Sequence, residues 1–252
     1  MRRARIAHDG QAVWAQVSED GQSLRLPTGE TVLAQDAHWL APVTPGATIF
    51  ALGLNYADHN RELGFKAKEP PLIFLKGPNT LVGHRGRTVR PADGNQMHPE
   101  CELVAIIGAP AHRVSPAEAL SVIGGYTIAC DYAIREYLEN YYRPNLKVKN
   151  RDATTPLGPW IVDAADIPDP QALALKTYVN GEIVQDGSTA DMVLTTAELI
   201  SYLSETMTLM PGDMILTGTP QGLRFCNPGE VVSCEIEGIG TLDNLLAAEL
   251  AP

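Results

Sequence analysis

The sequence predicts a β-dominated α+β fold. Many short apolar or alternating runs lie between turn formers, long amphipathic periodicities are few, and Asn180-Gly181 stands between two strand-like runs as a hairpin signal. A chain of 252 residues, 44% hydrophobic and 19% charged, has the apolar surface for a sizeable core and not the composition of a disordered chain. It suits one large domain, or one with a small appendage.

Residues 1–45 read as a small N-terminal β module. Runs 12–17, 23–26 and 31–33 are strand-like, with a turn at Glu19-Asp20-Gly21. Residues 40–46, with Pro42, Pro45 and Gly46, read as a linker, because proline and glycine break regular structure. The second unit is 46–252. Its strand candidates are 48–53, 71–76, 100–107, 125–130, 214–217 and 231–236, and 175–179 with 182–185 form the hairpin around Asn180-Gly181. Residues 58–63 read as a short helix. Ser115, Pro116 and Glu118 give a helix start with a capping-box spacing. Residues 133–142 are expected to be helical, stopping before Pro144. Residues 196–206 carry the clearest helical period, with Leu199, Ile200 and Leu203 on one face.

Charge and cysteine usage narrow the partners. A net charge of −11 argues against nucleic acid and anionic membranes. No run approaches the roughly 18 apolar residues of a membrane span, and the basic start is not followed by the apolar run of a secretory signal. Cys101, Cys130, Cys226 and Cys234 show no paired spacing, as expected of free thiols in a reducing cytoplasm. An anionic substrate would need local positive charge to overcome the overall field.

Five groups of residues carry chemistry. Glu100 and Glu102 point to one face at the start of a very apolar strand. Two adjacent carboxylates repel, and a cation between them relieves that cost; oxygen ligands suit Mg²⁺, Mn²⁺ or Ca²⁺ better than Zn²⁺. The alternative is a solvated strand end. Asp131 closes an apolar run and offers a third carboxylate, or else caps a following helix. His59 and Glu62 share a helix face at i, i+3, as a general-base pair or as a surface contact. Arg135, Arg143, Lys147, Lys149 and Arg151 concentrate positive charge after Asp131, to clamp carboxylates or as a solvated face. Leu216 to Pro220 is a strand running into a turn whose amides and hydroxyls suit an anion, or which only turns the chain.

Taken in order, these pieces resemble the fumarylacetoacetate hydrolase family. The residues that carry the likeness are Gly53-Leu54-Asn55-Tyr56-Ala57-Asp58-His59, Phe74-Leu75-Lys76, Glu100-Cys101-Glu102-Leu103, Gly124-Gly125-Tyr126-Thr127, Asp131, Arg135, Lys149, Asn180-Gly181 and Thr217-Gly218-Thr219-Pro220. The resemblance implies a mixed, twisted β-roll, a homodimer, and Mg²⁺ or Mn²⁺ held by Glu100, Glu102 and Asp131. It makes His59, Glu62 and Lys149 catalytic, and it places Arg135, Tyr142, Gly218 and Thr219 at the substrate. Within the family, residues 131–152 are similar to the decarboxylase/isomerase branch of homoprotocatechuate (4-hydroxyphenylacetate) breakdown, in the C-terminal half of its two-domain form. Cys130 and Glu136 depart from the residues usual at their positions.

The implied activity is decarboxylation and isomerisation of an unsaturated 2-oxo polycarboxylate, a small-molecule substrate. The same ligand set would serve an acylpyruvate hydrolase or an oxaloacetate decarboxylase. A reading of another class is a non-catalytic dicarboxylate binder with a structural cation, which would need neither His59 nor Glu62.

Overall fold

The computed structural model describes residues 1–62, 71–138 and 145–249. The chain opens with β1 (Arg2–His8), β2 (Gln11–Val17), β3 (Ser23–Arg25), β4 (Thr31–Leu33) and β5 (His38–Leu40). Next come β6 (Ile49–Gly53), α1 (Ala57–Glu62), β7 (Leu72–Leu75), β8 (Leu81–Val82), β9 (Gly86–Arg90) and β10 (Met97–His98). The centre holds β11 (Cys101–Ile107), α2 (Pro116–Ala119), β12 (Ile123–Cys130), β13 (Ala133–Ile134), α3 (Leu146–Lys149) and β14 (Thr155–Asp163). The chain then runs through β15 (Ala174–Val179), β16 (Glu182–Ser188), α4 (Thr196–Ser204), β17 (Met214–Leu216), β18 (Val231–Ile236) and β19 (Gly240–Ala248).

Strands dominate, as the sequence predicts. A mixed 12-stranded sheet has the path β4-β3-β2-β1-β14-β12-β11-β17-β6-β7, with β5 on β1 and β8 on β14. A second, five-stranded sheet runs β16-β15-β18-β19-β9, and β10 pairs with β13. The largest buried cluster contains Leu103, Ile128, Leu175, Val179, Val232, Ile236, Leu242 and Leu246, side chains from both large sheets, so the core joins them. β11 is buried along its whole length, which explains its nearly unbroken apolar text.

Local signals hold where they rest on backbone chemistry. Asn180 and Gly181 have φ of 51° and 84°, the two positive values a tight hairpin turn requires. α4 starts with Thr195 Oγ1 accepting the Glu198 N–H at 3.2 Å while Glu198 Oε2 accepts the Thr195 N–H at 2.7 Å, and it buries Leu199, Ile200 and Leu203. The short β5, β8, β10 and β13 escape the sequence pattern, and so do four longer strands. β1 carries three arginines, β9 carries two, β14 contains Pro156, Gly158 and Pro159, and β19 is interrupted by Asp243 and Asn244. The expected linker also begins inside β5.

One expectation is corrected. Residues 133–138 do not start the helix expected at 133–142: Ala133 and Ile134 pair with His98 and Met97, and Arg135–Tyr137 make one 3₁₀ turn. Both strand residues are buried and paired with β10, a pairing that the local helical pattern could not foresee. Residues 139–142 of that expectation lie outside the described residues. The N-terminal strands add directly to the large sheet, Arg2 pairing with Val162 and Arg3 with Ile161. All four cysteines are free and buried, and no helix among the described residues is long and apolar enough to cross a membrane.

Candidate active site

Sheet topology brings the candidate residues to one place. β11 runs antiparallel to both β12 and β17, and β17 runs parallel to β6. The start of β11 therefore lies beside the ends of the other three strands. Cys101 pairs with Cys130, Val104 with Leu216, and Leu216 with Ala51. Glu100 and Glu102 at the start of β11 then meet Asp131 just past β12, the Thr217–Gly218–Thr219 turn past β17, and the segment from Leu54 to α1 past β6.

Glu100, Glu102 and Asp131 are buried, and one carboxylate oxygen from each lies within 4.8 Å of the others. Two lysines sit among them. Lys76 Nζ, fully buried, donates to Asp131 Oδ1 at 2.6 Å and to the Lys149 carbonyl. Lys149 Nζ donates to Glu100 Oε2 at 2.5 Å and to the Asp131 carbonyl at 2.9 Å. It also lies 2.9 Å from Asp131 Oδ2, though without the alignment of a hydrogen bond.

The environment splits the two glutamates. Burial alone would raise Glu100, but Lys149, with His98 and His59 behind it, overcomes this and brings its carboxyl down to about 2. Burial first, then the charges of Asp131 and Glu100, push Glu102 well above the ordinary carboxylate range. Burial also opposes the charge on Lys149, but Asp131, Glu100 and Glu102 outweigh it and raise that group. Burial lowers Lys76, and Asp131 offsets only part of the effect.

These residues fit a divalent cation. Glu102 Oε1 is buried and has no hydrogen-bond partner among the described residues, and neither has Asp131 Oδ2. Three converging carboxylates form a hard, all-oxygen donor set, with Glu102 Oε1 unpaired and Asp131 Oδ2 met only by the Lys149 ammonium. A cation there would answer both the orphaned Glu102 oxygen and the repulsion that disfavours charge on Glu102.

The pair on α1 forms as the spacing predicts. His59 Nδ1 meets Glu62 Oε2 at 3.1 Å. Glu62 is pinned by the N–H groups of Gly222 and Leu223, at 3.1 and 2.9 Å to its two oxygens. Burial works against its charge, but those amides and His59 prevail and lower its carboxyl. His59, Glu100, Arg135, Lys149 and Thr219 line one cavity, walled otherwise by apolar groups such as Leu52, Leu54, Leu72 and Phe74.

The remaining candidates separate. Arg135 donates through Nε to His98 Nε2 at 3.1 Å. Burial drives His98 down to about 3, so it stays a neutral acceptor. Gly218 does not line the cavity; its N–H goes to Glu102 Oε2 at 2.6 Å. Tyr142 and Arg143 lie outside the described residues. Lys147 is exposed, and Arg151 pairs with Glu249 at 2.5 Å. Of the two departures, Cys130 is buried in the core and Glu136 accepts the Gln96 N–H at 2.7 Å.

Sequence reasoning gave no role to Lys76, His98 or Gln185. Lys76 was detectable as a charge directly closing an apolar strand, and His98 as the residue two before Glu100. Gln185 gave no signal, because its neighbours come from the other sheet. Gly218 also has a structural reason to be glycine: its φ is +91°, and an added Cβ would lie 2.9 Å from Asn55 Cβ. Gly218→Ala is expected to cost about 1–3 kcal/mol, seen as a lower thermal midpoint; an unchanged midpoint would show that the turn relaxes freely.

Residues 48–247 match the fumarylacetoacetate (FAA) hydrolase C-terminal family. Over 220 residues the chain is 53% identical to the 4-hydroxyphenylacetate degradation bifunctional isomerase/decarboxylase of Salmonella dublin, an alignment covering 87% of this chain and 51% of that protein. The chain thus spans about half the length of that relative. The 5-carboxymethyl-2-hydroxymuconate delta-isomerase from Mycobacterium smegmatis superposes with a TM-score of 0.87 and 36% identity, over 100% of both chains. The fumarylpyruvate hydrolase from Pseudomonas aeruginosa, solved in complex with Mn²⁺ and pyruvate, gives 0.77 and 31%, covering 83% of this chain and 91% of that one. On the family match and these likenesses, the chain belongs to the fumarylacetoacetate hydrolase family.

Proposed function

We propose that this chain is a divalent-metal-dependent enzyme that decarboxylates and isomerises an unsaturated 2-oxo polycarboxylate in aromatic catabolism. The substrates would be of the 5-oxopent-3-ene-1,2,5-tricarboxylate and 2-hydroxyhepta-2,4-diene-1,7-dioate kind. The observation that carries this reading is the convergence of Glu100, Glu102 and Asp131 beside Lys149, on the cavity that His59 also lines. The name of the Salmonella relative supports the choice of reaction.

Glu100, Glu102 and Asp131 would hold Mg²⁺ or Mn²⁺. A bound divalent cation supplies a Lewis acid for the charge that builds on a 2-oxo acid when CO₂ leaves or a proton shifts. With Nδ1 donating to Glu62, His59 presents Nε2 as the atom that takes or returns a proton. Arg135, its Nε committed to His98, keeps the two terminal nitrogens of its guanidinium for a substrate carboxylate. Lys149 keeps its charge beside Glu100 and attracts the anionic substrate, while the leucines and Phe74 keep the cavity dry.

The His59–Glu62 pair equally suits removal of a proton from water. That supports a second reading, hydrolysis of an acylpyruvate, in line with the likeness to fumarylpyruvate hydrolase. Metal-stripped protein is expected to release no CO₂ from the unsaturated oxo-tricarboxylate and to recover with Mg²⁺ or Mn²⁺, followed by ultraviolet absorbance and CO₂ detection. Metal-dependent cleavage of acylpyruvate without CO₂ would install the hydrolase reading. Cation binding with neither reaction would leave a binder of dicarboxylates.

A further inference from the structure

Gln185 belongs to β16 in the five-stranded sheet, yet its buried amide reaches the start of β11 and the turn after β17. Oε1 accepts the Cys101 N–H at 3.2 Å and the Thr177 hydroxyl at 2.6 Å. Nε2 donates to the Pro220 carbonyl at 2.8 Å and to Thr219 Oγ1 at 3.0 Å. Both donors and both lone pairs of the amide are used. The partners also fix its orientation: turned over, Nε2 would face the Cys101 N–H and Oε1 the Pro220 carbonyl.

This has a consequence for Thr219. Its hydroxyl oxygen accepts from Gln185, so the hydroxyl proton remains to be donated, and no described residue accepts it. Thr219 lines the cavity together with Glu100, Lys149 and His59. Cys101, held by the other end of the same amide, lies between Glu100 and Glu102.

We propose that Gln185 is a positioning residue that turns the Thr219 hydroxyl proton into the cavity, where it donates a hydrogen bond to an anionic oxygen of the bound oxo acid. One amide then sets both the direction of that donor and its separation from the acidic strand. The oxo-acid class rests on the function proposed above, but not on which reaction follows.

The test is the affinity of the Mn²⁺-loaded full chain for oxalate, a small dianion with the oxygens of an oxo acid, measured by calorimetry. Thr219→Val is expected to weaken oxalate roughly ten- to hundredfold, the range for a hydrogen bond to a charged group, and Thr219→Ser to restore it. Gln185→Glu keeps the acceptor for Cys101 and Thr177 but places an acceptor against Thr219, so the hydroxyl turns away from the cavity. It is expected to weaken oxalate as much as Thr219→Val does, with Mn²⁺ affinity unchanged, and to add nothing in the Thr219→Val background. If Gln185→Glu does not fold, Gln185→Met, which removes the donor, makes the same comparison. Full oxalate affinity in Thr219→Val, or effects that multiply in the double variant, would overturn the proposal. Wild-type protein that binds no Mn²⁺ would overturn the metal reading, and the proposal with it.

Discussion

Asp131→Ala is expected to cost the protein both its cation and a large part of its stability. Lys76 Nζ is fully buried, and its only counter-charge within hydrogen-bonding distance among the described residues is Asp131 Oδ1, at 2.6 Å. Removing the carboxylate strands an ammonium in the core, a loss of about 3–5 kcal/mol where natural domains have about 5–15 kcal/mol in all. For a chain of this size that lowers the thermal midpoint by roughly 6–20 °C. Cation affinity, read with Mn²⁺ by calorimetry, should fall about a hundredfold or more, since altering even groups behind a ligand costs ten- to hundredfold. The double variant Lys76→Met, Asp131→Leu separates the effects: it removes both charges, so stability should largely return while Mn²⁺ binding does not. An Asp131→Ala protein that melts like wild type would show that Lys76 is not held charged by Asp131.

His59→Ala makes the opposite prediction: the rate falls and the cation stays. A positioned acid–base group contributes about 10²–10⁴-fold, so kcat should drop by that factor while Mn²⁺ affinity stays close to wild type. Glu62→Gln should cost about as much: its oxygen can take the amides of Gly222 and Leu223, which leaves the NH₂ donating to Nδ1 and puts the His59 proton on Nε2, the wrong tautomer for a base. Retained turnover in His59→Ala would assign the proton transfer elsewhere. Loss of Mn²⁺ binding in the same variant would give His59 a place in the cation site.

The site residues were legible where they sat at the ends of well-patterned strands. Glu100 and Glu102 stand out because two carboxylates opening an apolar strand conflict with burial, and Asp131 because it closes one. The helix expected at 133–142 hid part of the same region: Asp131 was weighed as a cap for a helix that does not start there, and the strand pairing of Ala133 with His98 depends on residues 35 positions away. Gln185 was not legible as a functional residue, because what it touches is decided by the docking of distant strands, whereas Lys76 carried a signal that was passed over. β14 carries Pro156, Gly158 and Pro159, residues a strand rarely holds, yet Pro156 pairs with Val82 across a short parallel bridge.

The position of β11 between β12 and β17 also sets an order of events during synthesis. Glu100, Glu102 and Asp131 are made before their partners: Glu102 Oε2 rests on the amide of Gly218, 116 residues later, and Val104 waits for Leu216. A nascent chain therefore exposes three carboxylates that cannot close around an ion until the segment beyond residue 218 has emerged. A cation could thus be held only after that segment is made, and a translation product ending before β17 would have the acidic residues without the Gly218 amide that supports Glu102.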